Sequence, residues 1–591
     1  MQNKQNNRAL ESVRASGGTD LRPLVPPRRV WIGVASLAAA VALVRAGWLE
    51  PIVGGIVDQA VRNIISLILC FSAMMSLVVW FLRESGYALA VKRAVIGGLL
   101  GAVALGAAVL RIERVSGDLV PEFALRWSPS RDRLLPQHRS EPPAAPGEAV
   151  AAVPWQASTD DFPKFLGPTG SCGIDSPVLD PDWQARPPRL LWKRPIGGGW
   201  SGFATRGDHA VTLEQRGDDE IVSCCSVVTG EPEWAVAVKG RHETVLGGVG
   251  PRSTPTIHDG VVYAHGATGW LHAIDGATGR VLWKKNVLDE LGIDPAAHAL
   301  MVAWGRAGSP LVTADFVVVP AGGPRTRRSA QDPEFLSLVA FDRATGERRW
   351  TTGDEQISYV SPELVAFGGR ELIVSVNEAH VAGYDPADGH EIWEHPWLGH
   401  SNSDASCSQA VPVGDRRLFL SKGYGIGAAV FEIEKSDAEP WTLREVWRNS
   451  GLLKTKFTNV AIHEGHAYGL SDGILECVRL DDGARRWKAG RYGQGQLLRV
   501  GPLLLVQAES GEVVLVDASP EKHVVRSRLA AIDGQTWNNI CLSGSRLLVR
   551  NAEEAACYEL PVISASNKPG EPATASEPVA AGPGTATGTT P

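Results

Sequence analysis

The chain has 591 residues and a net charge of −7 with no dominant basic stripe, which excludes a dedicated nucleic-acid binder. Its eight cysteines (Cys70, Cys172, Cys224, Cys225, Cys407, Cys477, Cys541 and Cys557) form no CxxC or CxxCH motif, so neither a zinc site nor c-type haem attachment is expected. Nineteen Trp against 8 Tyr and 13 Phe inverts the usual aromatic order, as a repeat that uses one Trp per unit would do.

In chain order, residues 1–29 read as a cytoplasmic segment and 30–111 as a three-helix transmembrane anchor. Val30 to Val44, Ile64 to Leu82 and Ala94 to Leu110 are uncharged runs. A spanning helix needs about 20 apolar residues. The second run meets this directly, while the first and third need snorkelling Arg45, Arg93 and Arg111, with Trp31, Trp48 and Trp80 at interfacial positions. Arg22, Arg28 and Arg29 precede the first run, and Arg83, Lys92 and Arg93 separate the second from the third. Positive charge stays inside, so the N-terminus is expected in the cytoplasm and everything after Arg111 outside the cytoplasmic membrane.

Residues 112–161, with Glu141-Pro-Pro-Ala-Ala-Pro146 and no period, read as an extended Pro/Ala-rich linker. Residues 562–591 lack bulky groups and read as a disordered tail. The folded unit is therefore 162–561.

One pattern recurs across that unit: a β-rich run, an Asp-x-x-Thr-Gly-like turn, three residues, then Trp. Asp275-Gly-Ala-Thr-Gly279-Arg-Val-Leu-Trp283, Asp342 to Trp350 and Asp385 to Trp393 are the clearest copies, with weaker ones ending at Trp234 and Trp487. Trp447 follows a lengthened turn, and Asp517 to Val525 keeps the spacing but replaces Trp with Val. Asp and Thr side chains can cap backbone N–H groups in such turns, and Gly takes the left-handed position. A sheet of this size cannot bury both faces alone, so units must stack, and radial stacking makes a propeller. The blade-docking positions are Trp192, Trp234, Trp283, Trp350, Trp393, Trp447, Trp487 and Val525. Between them lie eight short Gly/Ser/Thr/Pro-containing segments, taken as the lead-ins to each innermost strand. The prediction is an all-β eight-bladed propeller after three transmembrane helices, or seven blades if the Trp447 segment is not a blade of its own. Trp192 precedes any complete blade, and 539–560 has strands with no following docking residue. The two would complete one blade and remove the open sheet edges.

These repeats resemble the pyrroloquinoline-quinone-like (PQQ-like) family, which includes quinoprotein alcohol dehydrogenases and the BamB-type assembly lipoprotein. The resemblance covers 162–561 and is closest to its membrane-anchored bacterial branch. Phe165-Leu-Gly-Pro168, Gly250-Pro-Arg-Ser-Thr-Pro-Thr256, Lys454-Thr-Lys-Phe-Thr458 and Gly117-Asp-Leu-Val-Pro121 carry it. It implies fold more strongly than activity.

A quinoprotein dehydrogenase would need PQQ, calcium and a catalytic carboxylate. The lead-in segments hold Asn402, Asn459, Asn538 and Asn539, with Asp404 the nearest acid. Cys224 and Cys225, adjacent like the disulfide of some quinoproteins, sit on a strand, where neighbours point to opposite faces. His463 and His466 read as turn residues. No catalytic residue, metal or cofactor is therefore expected. The candidate ligand site is the channel mouth: Trp200, Arg252, Trp304, Arg306, Tyr359, Lys454, Lys456, Gln494 and Trp537. Aromatics with cations suit an anionic or carbohydrate ligand, or a peptide strand. The expected function is a non-catalytic binding or scaffold protein with an envelope protein partner, possessing no nucleic-acid role. The alternatives are a PQQ-dependent alcohol or sugar dehydrogenase, and a ligand sensor working with a partner.

Overall fold

The computed structural model describes residues 23–48, 58–136, 155–325, 334–399, 405–435 and 440–563. Asn402 and Asp404 lie outside them, as do most of the expected cytoplasmic segment and all but the first two residues of the expected C-terminal tail.

Three helices open the chain: α1 (Arg28–Arg45), α2 (Gln59–Arg83) and α3 (Leu89–Val109). Asp58 caps α2 by accepting the Val61 N–H at 2.8 Å. α1 packs on α2, and Arg29 pairs with Glu84 at 2.7 Å beyond the far end of α2. Among the described residues, only α2 and α3 are long and apolar enough to cross a membrane. α1 has 18 residues and includes Arg28, Arg29 and Arg45, so two of the three expected spans stand as candidates and α1 falls short of that measure.

The expected linker also differs. A hairpin, Leu110–Val115 with Pro121–Leu125, continues directly from α3, and a short helix follows at Arg131–Leu134. Residues 112–136 are thus a folded element, held by ion pairs that a composition-based reading does not see.

The propeller has eight blades, each built on four antiparallel strands in simple up-and-down order, with a short fifth strand added in parallel to blade 7. Blades 1 to 7 occupy 204–239, 256–286, 311–352, 363–396, 411–449, 461–491 and 496–530. Blade 8 takes three strands from 541–559 and its outermost strand, Arg189–Pro195, from the beginning of the unit. Trp192 faces Cys557 in that pairing, so the ring closes where the sequence pattern placed the closure. The core lies between blades as a set of apolar clusters.

Each outermost strand carries a bulge one residue before its docking position; Ala273 faces Trp283, for example, while Ile274 faces Val281. The bulge turns the Trp toward the next blade. There the rings of Trp192, Trp234, Trp283, Trp350 and Trp447 lie on the glycine of the following turn, and the indole N–H of five of the seven docking tryptophans donates to a carbonyl of that blade. Trp192 donates to Val227 O at 2.8 Å, Trp234 to Gly276 O at 2.7 Å, Trp283 to Arg343 O at 3.0 Å and Trp447 to Leu480 O at 2.7 Å. Blade 7 corrects the sequence reading. Its bulge brings Ser527, not Val525, opposite Leu515, so Ser527 holds the docking position. Ser527 accepts the Trp183 N–H at 3.1 Å and donates to Pro181 O at 2.7 Å. The buried indole of Trp183, from the N-terminal side of the unit, joins the apolar cluster shared by blades 7, 8 and 1.

Candidate axial binding well

In an up-and-down blade, the connectors into the innermost strands share a face with the loops between second and third strands. The Asp-x-x-Thr-Gly turns lie on the opposite face. Everything N-terminal that docks on the propeller before residue 137 meets the connector face. Arg114 pairs with Glu553 at 2.8 Å, Gly117 N–H donates to Glu509 Oε1 at 2.8 Å, and Gln59 N–H donates to Asp472 Oδ2 at 2.9 Å. Asp58 pairs with Lys456 at 3.0 Å, and Asp132 with Arg241 at 2.7 Å. The start of α2 and the end of α3 are therefore both on this side.

The axis is closed from the other side by residues 162–174. Phe162 O accepts from Thr205 N–H in blade 1 at 2.8 Å, and Pro163 O from Ile257 N–H in blade 2 at 2.7 Å. Gly173–Ile174 then pairs in parallel with the inner strand of blade 7. The segment crosses the channel, and Phe165 becomes its floor.

Above this floor the lead-in segments bond to one another around the axis. Gly202 N–H donates to Thr254 Oγ1 at 3.2 Å, Thr254 to Ser309 Oγ at 2.9 Å and Ser309 to Ser361 Oγ at 2.9 Å. Ser361 N–H donates to Gln409 Oε1 at 3.0 Å and Gln409 N–H to Asn459 Oδ1 at 2.9 Å. Each short polar side chain thus satisfies the backbone N–H of its neighbour, where the innermost strands are too far apart to pair. Asn538 Nδ2 carries the series back to Ser201 O at 2.8 Å.

What remains is a blind well of about 130 Å³ opening on the connector face. Trp200, Trp537 and Phe457 wall one side, with ring centroids 4.7 Å apart in each neighbouring pair. Trp304 and Tyr359, 5.1 Å apart, wall the other. The Trp200 and Trp537 indoles are fixed by Gly247 O at 2.7 Å and Glu509 Oε1 at 3.0 Å. Arg252 supplies a cation. Its guanidinium donates to Gly250 O at 2.9 Å and to Gly247 O, and makes no ion pair among the described residues. Burial draws its pKa down to about 10, so it stays protonated at neutral pH. Gln496 Nε2 donates to Phe457 O and Trp537 O at 3.0 Å each, leaving its Oε1 without a partner; the Asn539 Oδ1 is likewise unpaired. None of the described residues lining the well is an Asp or a Glu.

Of the nine mouth candidates, Trp200, Arg252, Trp304, Tyr359 and Trp537 line the well. The other four do not. Arg306 is buried beside the axis, where its guanidinium meets His265 Nε2 at 3.1 Å, His298 Nε2 at 3.2 Å and Ala321 O at 2.8 Å. Burial holds both histidines well below their usual range, to about 3 for His265 and about 4 for His298, so the guanidinium is the charge at this point. Lys456 is tied to Asp58 below α2, and Lys454 N–H donates to Ser471 Oγ at 3.1 Å. Gln494 is fully buried under Gly117. Sequence reasoning missed Phe165 and Leu246 as lining residues, and treated Phe457, Gln496 and Asn539 only as parts of lead-in segments.

All eight cysteines are free thiols. Cys224 and Cys225 project into different apolar clusters on opposite faces of one strand. His209, Cys224 and Glu233 bring three ligand-type atoms within 4.8 Å of one another. His209 pairs with Glu233 at 2.7 Å, and burial beside Glu233 raises the Cys224 thiol well above its usual value. His463 and His466 flank a two-residue turn in blade 6.

The fold and the well define an eight-bladed PQQ-like propeller with an axial pocket. The family described as outer membrane protein assembly factor BamB matches residues 183–322 and 218–489, together more than half of the chain. The chain belongs to this family. Relatives include the BamB of Yersinia pestis, 23% identical over 53% of this chain and 70% of that protein. The 1-butanol dehydrogenase (quinone) of Thauera butanivorans is 25% identical over 31% of this chain, and the match spans only 28% of the dehydrogenase. Among solved structures, BamB from Moraxella catarrhalis aligns over 63% of this chain and all of its own, with 15% identity and a TM-score of 0.45. A europium-containing methanol dehydrogenase aligns over 68% of this chain and 98% of its own, with 12% identity and a TM-score of 0.48.

Proposed function

We propose that the protein is a non-catalytic binding and scaffold protein held on the outer face of the cytoplasmic membrane, with a ligand in the axial well and a protein partner in the envelope. One observation carries this reading: a blind aromatic well whose cation, Arg252, faces no carboxylate among the described residues. Such a site offers charge and flat apolar surface to an anion. A PQQ-dependent dehydrogenase is the alternative, and the donor set argues against it. Calcium takes carboxylate and carbonyl oxygens, and alcohol oxidation needs a base. The lining contributes amides, hydroxyls, a thiol and a guanidinium. The partner is inferred from the assembly role in the name of the BamB relatives.

The topology that fits is N-terminus inside, with α1 as a third, arginine-flanked span. Its start lies beside the end of α2, through Arg29 with Glu84 and Gly86 N–H with Pro23 O at 3.1 Å. Arg83, Lys92 and Arg93 mark that side as cytoplasmic.

The test is reconstitution of the purified full chain with PQQ and calcium, followed by dye reduction with alcohols and aldoses. The expected result is no turnover above the protein-free blank. Stoichiometric cofactor binding with turnover overturns the reading.

A further inference from the structure

The well is closed at its floor by 162–174, so a ligand arrives across the connector face. That is the face on which α2 begins and α3 ends. Its rim is apolar where a soluble ligand would call for polar groups. Val245 and Leu246, at the tip of a hairpin beside the mouth, are 54% and 53% exposed, and Leu300, on the connector leading to Trp304, is 83% exposed. The hairpin continuing from α3 holds out Phe123, 60% exposed, and Trp127 just beyond it, 67% exposed. An apolar rim continuous with an apolar helix fits one surface, the interfacial layer of a bilayer, where Trp is favoured and Phe and Leu side chains insert.

The interior of the well has a different chemistry. Arg252 offers a cation to an anionic group. The unpaired Gln496 Oε1, on a side chain 2% exposed, and the unpaired Asn539 Oδ1 ask for donors. A buried acceptor left without a donor is costly, so the matching ligand brings hydroxyl groups. Leu246 and Trp304 join this polar interior to the apolar rim.

We propose that the well is loaded from the membrane, and that its ligand is an anionic lipid with a hydroxyl-bearing headgroup of the phosphoglycerol type. The phosphate meets Arg252, headgroup hydroxyls meet Gln496 and Asn539, and the chains leave past Leu246 into the bilayer. This rests on the reading of α2 and α3 as membrane spans.

The test uses the full chain in nanodiscs of phosphatidylcholine carrying one-fifth each of phosphatidylglycerol and phosphatidylethanolamine, with native mass spectrometry of the lipid retained after detergent release. Selective retention of phosphatidylglycerol is expected, falling about tenfold in Arg252→Ala and only partly in Arg252→Lys, which keeps the charge. Circular dichroism melts establish that both variants are folded. Equal retention of all three lipids, or undiminished retention in folded Arg252→Ala, overturns the proposal. Displacement of the lipid by free glycerol 3-phosphate at matched concentration overturns the lipid source. Resistance of the chain to alkaline carbonate extraction tests the spans separately: a chain stripped from membranes by carbonate refutes the anchor itself, whatever its lipid preference.

Discussion

A methyl group on Gly279 would stand 2.7 Å from Trp234 Cγ, and the residue's φ is +71°. Gly230 under Trp192, Gly346 under Trp283 and Gly389 under Trp350 repeat this arrangement. The glycine of each turn thus answers two demands, a left-handed backbone and the face of the preceding blade's indole. Gly260 separates them, with φ +75° and open space at the Cβ position. Gly260→Ala is expected to cost about 1 kcal/mol, the backbone penalty alone. Gly279→Ala adds overpacking against Trp234 and is expected to cost about 2–4 kcal/mol. Urea unfolding of the two variants checks the difference, and equal losses would remove the indole from the account. At this scale the sequence was legible where residues repeat. The Trp and Gly positions recur at fixed spacing and announce themselves. Gln496 and Phe165 recur nowhere, and their place in the well depends on what the chain does between blades.

The axial plug 162–174 is the least legible element, because its bonds go to blades 1, 2 and 7 and leave no local period. Its passage also buries a carboxyl group. Glu363, at the start of blade 4, lies beside Gly170 of the plug and accepts from Gln409 Nε2 at 3.2 Å. Burial raises its pKa to about 7, with Lys164 and Gln409 opposing. The folded state then holds a proton that the unfolded chain, near 4.5, releases. The Glu363 contribution is complete below about pH 4.5 and is lost as pH rises to about 7. Glu363→Gln should therefore flatten the decline in melting temperature between pH 5 and 7. An unchanged pH profile would place that decline elsewhere. The hairpin after α3 was hidden for a related reason: Arg114, Gly117 and Asp132 find their partners on the propeller, more than a hundred residues away in every case.

For the whole molecule, blade number and closure could be read from the chain, since eight lead-ins and eight docking positions must alternate and Trp192 has no other sheet to join. The orientation of the ring could not. It follows from the ties between α2, the hairpin and the connector face, and with α2 and α3 read as spans it turns the well toward the bilayer. A site-specific fluorophore measures this directly. Leu246→Cys, at the rim, and Glu347→Cys, on the opposite turn face, are labelled with bimane in a Cys70→Ser background and reconstituted into vesicles containing nitroxide-bearing lipid. The account predicts strong quenching at 246 and little at 347. Equal quenching at the two positions, or stronger quenching at 347, would contradict a propeller whose well opens onto the bilayer.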